Sequence, residues 1–233
     1  MKLHILHEDD QVIVCYKPSG VPTQTKGVGT MDLVSLLKNH LYRTANIKGK
    51  EPYLAVVHRL DQPVEGVLVF GKTPFAAKEL SRQMQGNGFG KYYQAVLCGI
   101  PEQTEGILTD YLVKDGRTNL SRVCGSEEPD AKQAVLAYRL LATGEEEGES
   151  RSLVEVRLQT GRHHQIRVQM AQMGCPIWGD LKYNHLEGNG TRRPIALCAC
   201  RLEFLHPKTG EKMVFEIQPE GKGFQGIPFY RKC

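Results

Sequence analysis

The apolar residues of this chain come mostly in short runs and only rarely at helical spacing, and this restricts the fold more than any other feature. Val12-Ile13-Val14-Cys15-Tyr16, Leu54-Ala55-Val56-Val57, Val67-Leu68-Val69-Phe70, Tyr93-Gln94-Ala95-Val96-Leu97 and Leu153-Val154-Glu155-Val156-Arg157-Leu158 each read as a strand bounded by turn residues. Further strands are expected at 106–108, 131–141, 199–205 and 212–217, the last two joined by the turn HPKTGE. The acidic run 145–149 reads as an exposed hairpin tip. Three stretches have helical character. Leu33, Leu36, Leu37 and Leu41 share one face, with Thr30 or Asp32 able to cap the start. Thr73 and Pro74 open a second helix that runs to about Met84 and is stopped by Gly86 and Gly88. The third spans His164 to Met173, with Gly174 just past its end and Pro176 beyond. So few helices cannot alternate with so many strands. The expected class is α+β, a mostly antiparallel mixed sheet with a few flanking helices.

The chain shows no long-period repeat, low-complexity tract or linker, so residues 1–233 read as one domain. Apolar residues at 40% against 24% charged allow a real core and exclude a disordered tail. Lys and Arg number 30 against 26 Asp and Glu, a net charge of +4, which excludes a polybasic arm but permits a nucleic-acid ligand. The seven cysteines have no C-x-x-C spacing and read as reduced thiols in a cytoplasmic protein. The N-terminus lacks an apolar signal core, and no stretch approaches the roughly 18 apolar residues of a membrane span. A soluble protein without membrane attachment is expected.

Three places could carry chemistry. In 54–71 two apolar strands bracket a loop with His58, Arg59 and Asp61. A carboxylate at a strand end beside a core is poorly solvated and needs a cationic partner, although Asp before a proline also forms an ordinary turn. In 159–167 a strand ends at Thr160, Gly161 allows a tight turn, and Arg162 at the helix start makes a natural phosphate seat. Arg162, Gln165, Gln169 and Gln172 would line a polar helix face opposite Ile166, Met170 and Met173. Arg167 lies beside that apolar stripe and would be costly to bury unless a carboxylate meets it. His163 and His164, being adjacent, should point in different directions, and no His-x-x-x-His pair exists, so no metal site is expected. In Lys91-Tyr92-Tyr93, successive side chains face opposite ways, so one tyrosine can line a pocket while the other does not. No P-loop, dinucleotide fingerprint or nucleophile elbow is present, so cofactor chemistry has no visible seat.

Taken together these segments resemble the RluA-type RNA pseudouridine synthases. The similarity rests on HEDDQVIVCYKPSGVPT, VVHRLDQPVEGVLVFGKT, KYYQA, SLVEVRLQTGRHHQIRVQMAQMGCPIWGDLKY and LEFLHPKTGE, in that order. The resemblance implies an RNA-modifying isomerase with Asp61 as catalytic carboxylate, Arg167 as its paired arginine and Tyr93 as the ring that stacks on a flipped uracil. It also implies that Arg59 enters the RNA stack, and that His58, Arg162, Gln165 and Ile166 belong with the substrate-binding residues. The expected substrate is a ribosomal or transfer RNA stem-loop. No cofactor and no obligate protein partner are expected, and the catalytic domain is a monomer without an S4 module. Glu65 stands where many members have Ser or Thr, and Gln169 and Cys198 where His is frequent, which bears on RNA preference. A glycoside hydrolase would need two carboxylates across a sugar, and Glu65 is the only second acid near Asp61. A non-catalytic RNA-binding module would have no use for Asp61 and Arg167 together.

Overall fold

Strand pairing organises the chain, as the apolar runs require. The computed structural model describes residues 3–25, 31–44, 51–86, 88–146, 148–185 and 193–225. In chain order its elements are β1 (His4–Glu8), β2 (Val12–Lys17), α1 (Leu33–Thr44), β3 (Ala55–Val56), β4 (Glu65–Gly71), α2 (Pro74–Gln85), β5 (Gly90–Cys98), β6 (Glu105–Asp115), β7 (Leu120–Cys124), β8 (Lys132–Glu146), β9 (Glu149–Leu158), α3 (Gln165–Gln172), β10 (Leu197–Leu205) and β11 (Lys212–Glu216). The class is α+β with mostly antiparallel pairing. The residues fall into two compact units, one of Met1–Gly90 with Ala199–Ile217 and one of Lys91–Cys198 with Gln218–Cys233. No helix among the described residues is long and apolar enough to cross a membrane.

In the first unit β1 pairs with β2, β2 with β4, β3 with β4, and β10 with β11, all antiparallel. Strands β2 and β4 are nearly continuous apolar runs because both their faces are covered. Val12, Val14, Val67, Val69, Leu80, Phe89, Leu202 and Phe204 form the core. Helix α1 begins where Asp32 Oδ1 accepts the Ser35 N–H at 2.7 Å, which makes Asp32 the cap; Thr30 lies outside the described residues. Thr73 caps α2 by accepting the Ala76 N–H at 3.0 Å. Helix α1 runs through Thr44, and residues 45–50 lie outside the described residues. Strand β1, His-Ile-Leu-His-Glu, was not foreseen. It pairs only with β2, is at most half-buried, and so lacks the apolar run that marks a central strand.

The second unit orders its strands β5-β9-β8-β6-β7, again antiparallel. The hairpin between β8 and β9 turns at Gly148, as the acidic run suggested. Strand β6 extends well past the expected 106–108 and β7 was missed, because both alternate apolar with exposed polar residues. Helix α3 ends at Gly174 in the left-handed conformation, φ +84°. Its expected polar face does not exist as such, since Gln165, Arg167 and Gln169 are buried along with Ile166, Val168 and Met170. Burial is tolerated because the amides pair internally. Gln165 Nε2 donates to Gln169 Oε1 at 3.0 Å, and Gln169 Nε2 donates to Asp110 Oδ2 at 2.6 Å. The six described cysteines form no disulfide, and all but Cys124 are buried; Cys233 lies outside the described residues.

Candidate active site

Asp61 sits in the turn between β3 and β4, where its carbonyl accepts the Val64 N–H at 3.0 Å. The turn is pinned from beneath by Lys17, the last residue of β2, whose side chain has 0% exposure. The Lys17 ammonium donates to the carbonyls of Pro18 (3.1 Å), Val21 (2.7 Å) and Gln62 (3.1 Å), which uses its three protons. Two further bonds, Gly20 N–H to Gln62 O at 2.9 Å and Gln62 Nε2 to Gly20 O at 3.1 Å, sew the same strand end to the loop. Burial pushes the Lys17 ammonium down to about 8, while the negative charges of Asp61 and Glu65 pull it back up. The cation that Asp61 required of the sequence therefore has a source inside its own unit.

The glycine that ends the loop is dictated by space. Gly66 has φ +140°, and a Cβ there would lie 2.5 Å from both Cβ and O of Ala199 on β10. Beside it, the buried Glu65 carboxylate accepts a hydrogen bond from the Tyr16 hydroxyl. His58 Nε2 accepts the Val69 N–H at 3.1 Å, just past the end of β3, and its ring meets Phe89 edge-on at 5.4 Å. Arg59 is exposed and makes no hydrogen bond or ion pair among the described residues.

In the second unit the β5 residues alternate as expected. Tyr93 is buried, while Tyr92 turns the other way and carries the Arg157 guanidinium 5.6 Å from its ring centre. Lys91, two residues before Tyr93 and so on its face, has its ammonium pushed below the ordinary lysine range by burial and by the neighbouring positive charge of Arg162. Arg162 is exposed and anchored by Nε to Gln133 O at 2.8 Å. Its turn is held by Gln165, whose Oε1 accepts the Arg162 N–H at 3.0 Å and the Thr160 hydroxyl at 2.8 Å.

Arg167 is 4% exposed and meets the carboxylate that its burial demanded, in Asp180. The pair is bidentate, Nε to Oδ2 at 2.7 Å and Nη2 to Oδ1 at 2.6 Å, and Oδ1 also accepts the Lys182 N–H at 2.9 Å. The Arg167 guanidinium lies 5.2 Å from the Tyr183 ring centre. The Tyr183 hydroxyl accepts the Ser121 N–H at 2.8 Å and bonds His164 Nδ1 at 2.7 Å. The two histidines do not diverge as adjacency suggested. Their rings stack with centroids 3.7 Å apart, because His164 adopts φ +54°, which swings its side chain over that of His163. His163 Nδ1 in turn meets Ser121 Oγ at 2.8 Å.

The first unit thus gathers Asp61, Arg59 and His58, and the second Tyr93, Arg162, Gln165, Ile166 and Arg167. Sequence reasoning missed Lys17, Asp180 and Tyr183. The one signal Lys17 carries in the sequence is that a lysine closes an otherwise apolar strand. Asp180 could have been sought from the buried arginine, but its position thirteen residues later, past the helix, is not implied by spacing.

Comparison with known proteins bears on these residues. A family model described as RNA pseudouridylate synthase matches residues 11–172. An RNA pseudouridine synthase of Aquifex aeolicus is 31% identical over 97% of this chain and 72% of its own length. The ribosomal large subunit pseudouridine synthase D of Vibrio cholerae is 33% identical, over 92% of this chain and 67% of its own. The solved structure of human RNA pseudouridylate synthase domain containing 4 superposes with a TM-score of 0.74 at 25% identity, covering 93% of this chain and 89% of the human one.

Proposed function

This chain belongs to the RNA pseudouridylate synthase family, and on that premise we propose that it isomerises particular uridines in structured ribosomal or transfer RNA, with Asp61 as the catalytic carboxylate. The reaction breaks the N1–C1′ bond, turns the uracil and joins C5 to C1′. The proton lost from C5 is balanced by one gained at N1, so the isomerisation is redox-neutral and calls for no cofactor. The observation that carries the assignment of Asp61 is its place on a turn fastened by the Lys17 ammonium, whose positive charge interacts with the Asp61 carboxylate. An ionised carboxylate is what attack on the ribose, attack on the base or proton abstraction would each need.

A uridine in a folded loop hides its glycosidic bond, so it must leave the stack at a cost of a few kcal/mol. The exposed Arg59 would fill the vacated space and Tyr93 would stack on the extruded uracil, with Ile166 as an apolar wall. Arg167, oriented by Asp180, would serve Asp61, and Gln165 would hold Arg162 toward the RNA backbone. His58, engaged with Val69 and Phe89, would act by stiffening the catalytic loop. The likeness to the Vibrio large-subunit synthase favours large-subunit ribosomal RNA as substrate. On this reading residues 1–233 act as one catalytic domain, monomeric and cytoplasmic, without an obligate protein partner.

The test is tritium release from [5-³H]uridine-labelled ribosomal RNA. The unaltered chain should release tritium, and Asp61→Ala should stop release while RNA binding persists. Binding without release by the unaltered chain would make it a module, and free uracil in the supernatant would make it a hydrolase. Wild-type turnover by Asp61→Ala would remove Asp61 from the mechanism.

A further inference from the structure

Lys91 and Arg162 form a two-cation cluster with no acid paired to it among the described residues. The Lys91 ammonium makes no hydrogen bond or ion pair among the described residues, and it is partly withdrawn from water. Arg162 spends its backbone N–H on Gln165 and its Nε on Gln133, and its remaining guanidinium nitrogens have no partner among the described residues. Bringing two like charges together in a partly dry setting costs stability and is sustained when an anion joins them. A Cβ at Gly161 would stand 3.2 Å from Lys91 Nζ, closer than ordinary contact, so the ammonium lies against the turn that carries Arg162.

We propose that Lys91, Gly161 and Arg162 form a phosphate seat that grips the RNA backbone at the nucleotide whose base stacks on Tyr93. Lys91 and Tyr93 are alternate residues on one face of β5, about 6.7 Å apart along the strand. That is the span from the base of a nucleotide to its own phosphate. Tyr93 would read the ring and Lys91 with Arg162 the charge, so flipping and phosphate capture would occur as one event. This rests on the base-stacking role proposed for Tyr93. The guanidinium supplies a planar pair of donors and the ammonium a compact point charge, a combination suited to the several oxygens of one phosphate.

Lys91→Met, Arg162→Gln and Gly161→Ala in the full chain test this, with large-subunit ribosomal RNA labelled at uridine C5 as the probe. Each charge removal should raise KM about tenfold, the loss of one charge-assisted contact. It should also lower the slope of log affinity against log salt by about 0.7, as for one phosphate contact on single-stranded RNA. Gly161→Ala should raise KM in the same direction with the slope less changed. Lys91→Met should melt no lower than the unaltered protein, since it removes a desolvated charge, which separates lost binding from lost folding. Inorganic phosphate at constant ionic strength should compete with RNA in the unaltered chain and lose that effect in the double variant. Wild-type KM and salt slope in both charge variants would overturn the seat. So would equal phosphate competition with and without the two cations, which would mean that free phosphate binds elsewhere. If the unaltered chain released no tritium, the synthase reading would fall, and the binding and competition measurements would still decide the seat.

Discussion

Replacing Gly66 by alanine asks how closely β4 and β10 must approach. The new Cβ would lie 2.5 Å from Ala199 Cβ, 2.5 Å from its O and 2.6 Å from its N, about 0.9 Å short of an ordinary 3.4 Å contact. These are strand backbone atoms and a methyl group fixed to one, so no side-chain rotation relieves the overlap. Overpacking of this kind costs about 1–3 kcal/mol, and a side chain at φ +140° adds about 1–3 kcal/mol of backbone strain. The sum, about 2–6 kcal/mol, is a large share of the 5–15 kcal/mol or so that holds a typical domain. With an m-value near 3 kcal/mol per molar urea, the unfolding midpoint should drop by about 1–2 M. Gly210→Ala is the matched control. It carries φ +74° in the turn between β10 and β11 with nothing within 4 Å, so it bears strain without contact. If Gly66→Ala lowers the urea midpoint no further than Gly210→Ala does, the close approach to Ala199 is not what demands glycine there. Because Gly66 closes the Asp61 loop, the folded fraction of Gly66→Ala should also release tritium more slowly.

Other consequences are as direct. The Lys17 ammonium, followed by NMR at Cε, should titrate near 8, and Asp61→Asn should move it lower because the lost carboxylate was drawing it up; a midpoint at the ordinary 10.5 would contradict its burial. Between those two values the unfolded chain keeps a proton that the folded chain has released, so the Lys17 contribution to stability should rise with pH across that window and be flat below it. Asp180→Asn leaves Arg167 buried with half its partner gone and should cost about 3–5 kcal/mol in denaturant, with the tritium-release rate falling more than RNA affinity; unchanged stability would mean that the pair is dispensable. Thr73→Ala should remove about 1 kcal/mol by freeing the Ala76 N–H at the start of α2, and Thr73→Ser should restore it.

Where local physics dominates, the residues announced the structure. Thr73-Pro74 opened α2 as the capping rule requires, Gly174 closed α3, and the Val- and Leu-rich runs became β2, β4 and β9. The strands that escaped notice, β1 and β7, each lie at the end of a strand order, where one side is solvated and polar residues are tolerated. The Gln165–Gln172 segment misled for the opposite reason. Gln165 and Gln169 look solvent-facing by period, yet they are buried because they satisfy one another, Asp110 and the turn at Arg162, while Gln172 is exposed.

The linear order of residues, read against the family it resembles, determined the class of fold and the reaction and nominated Asp61, Arg59, Tyr93 and Arg167 as the residues to test, since those depend on short motifs and on patterns within single elements. Tertiary structure alone decided what surrounds them. Lys17 lies forty-four residues before Asp61 and Asp180 thirteen after Arg167, and no periodicity links either pair. The stacking of His163 on His164 follows from a backbone angle that only packing can impose. Partners for buried charges are chosen by proximity in space, and proximity exists only once the strands have paired and the water has left.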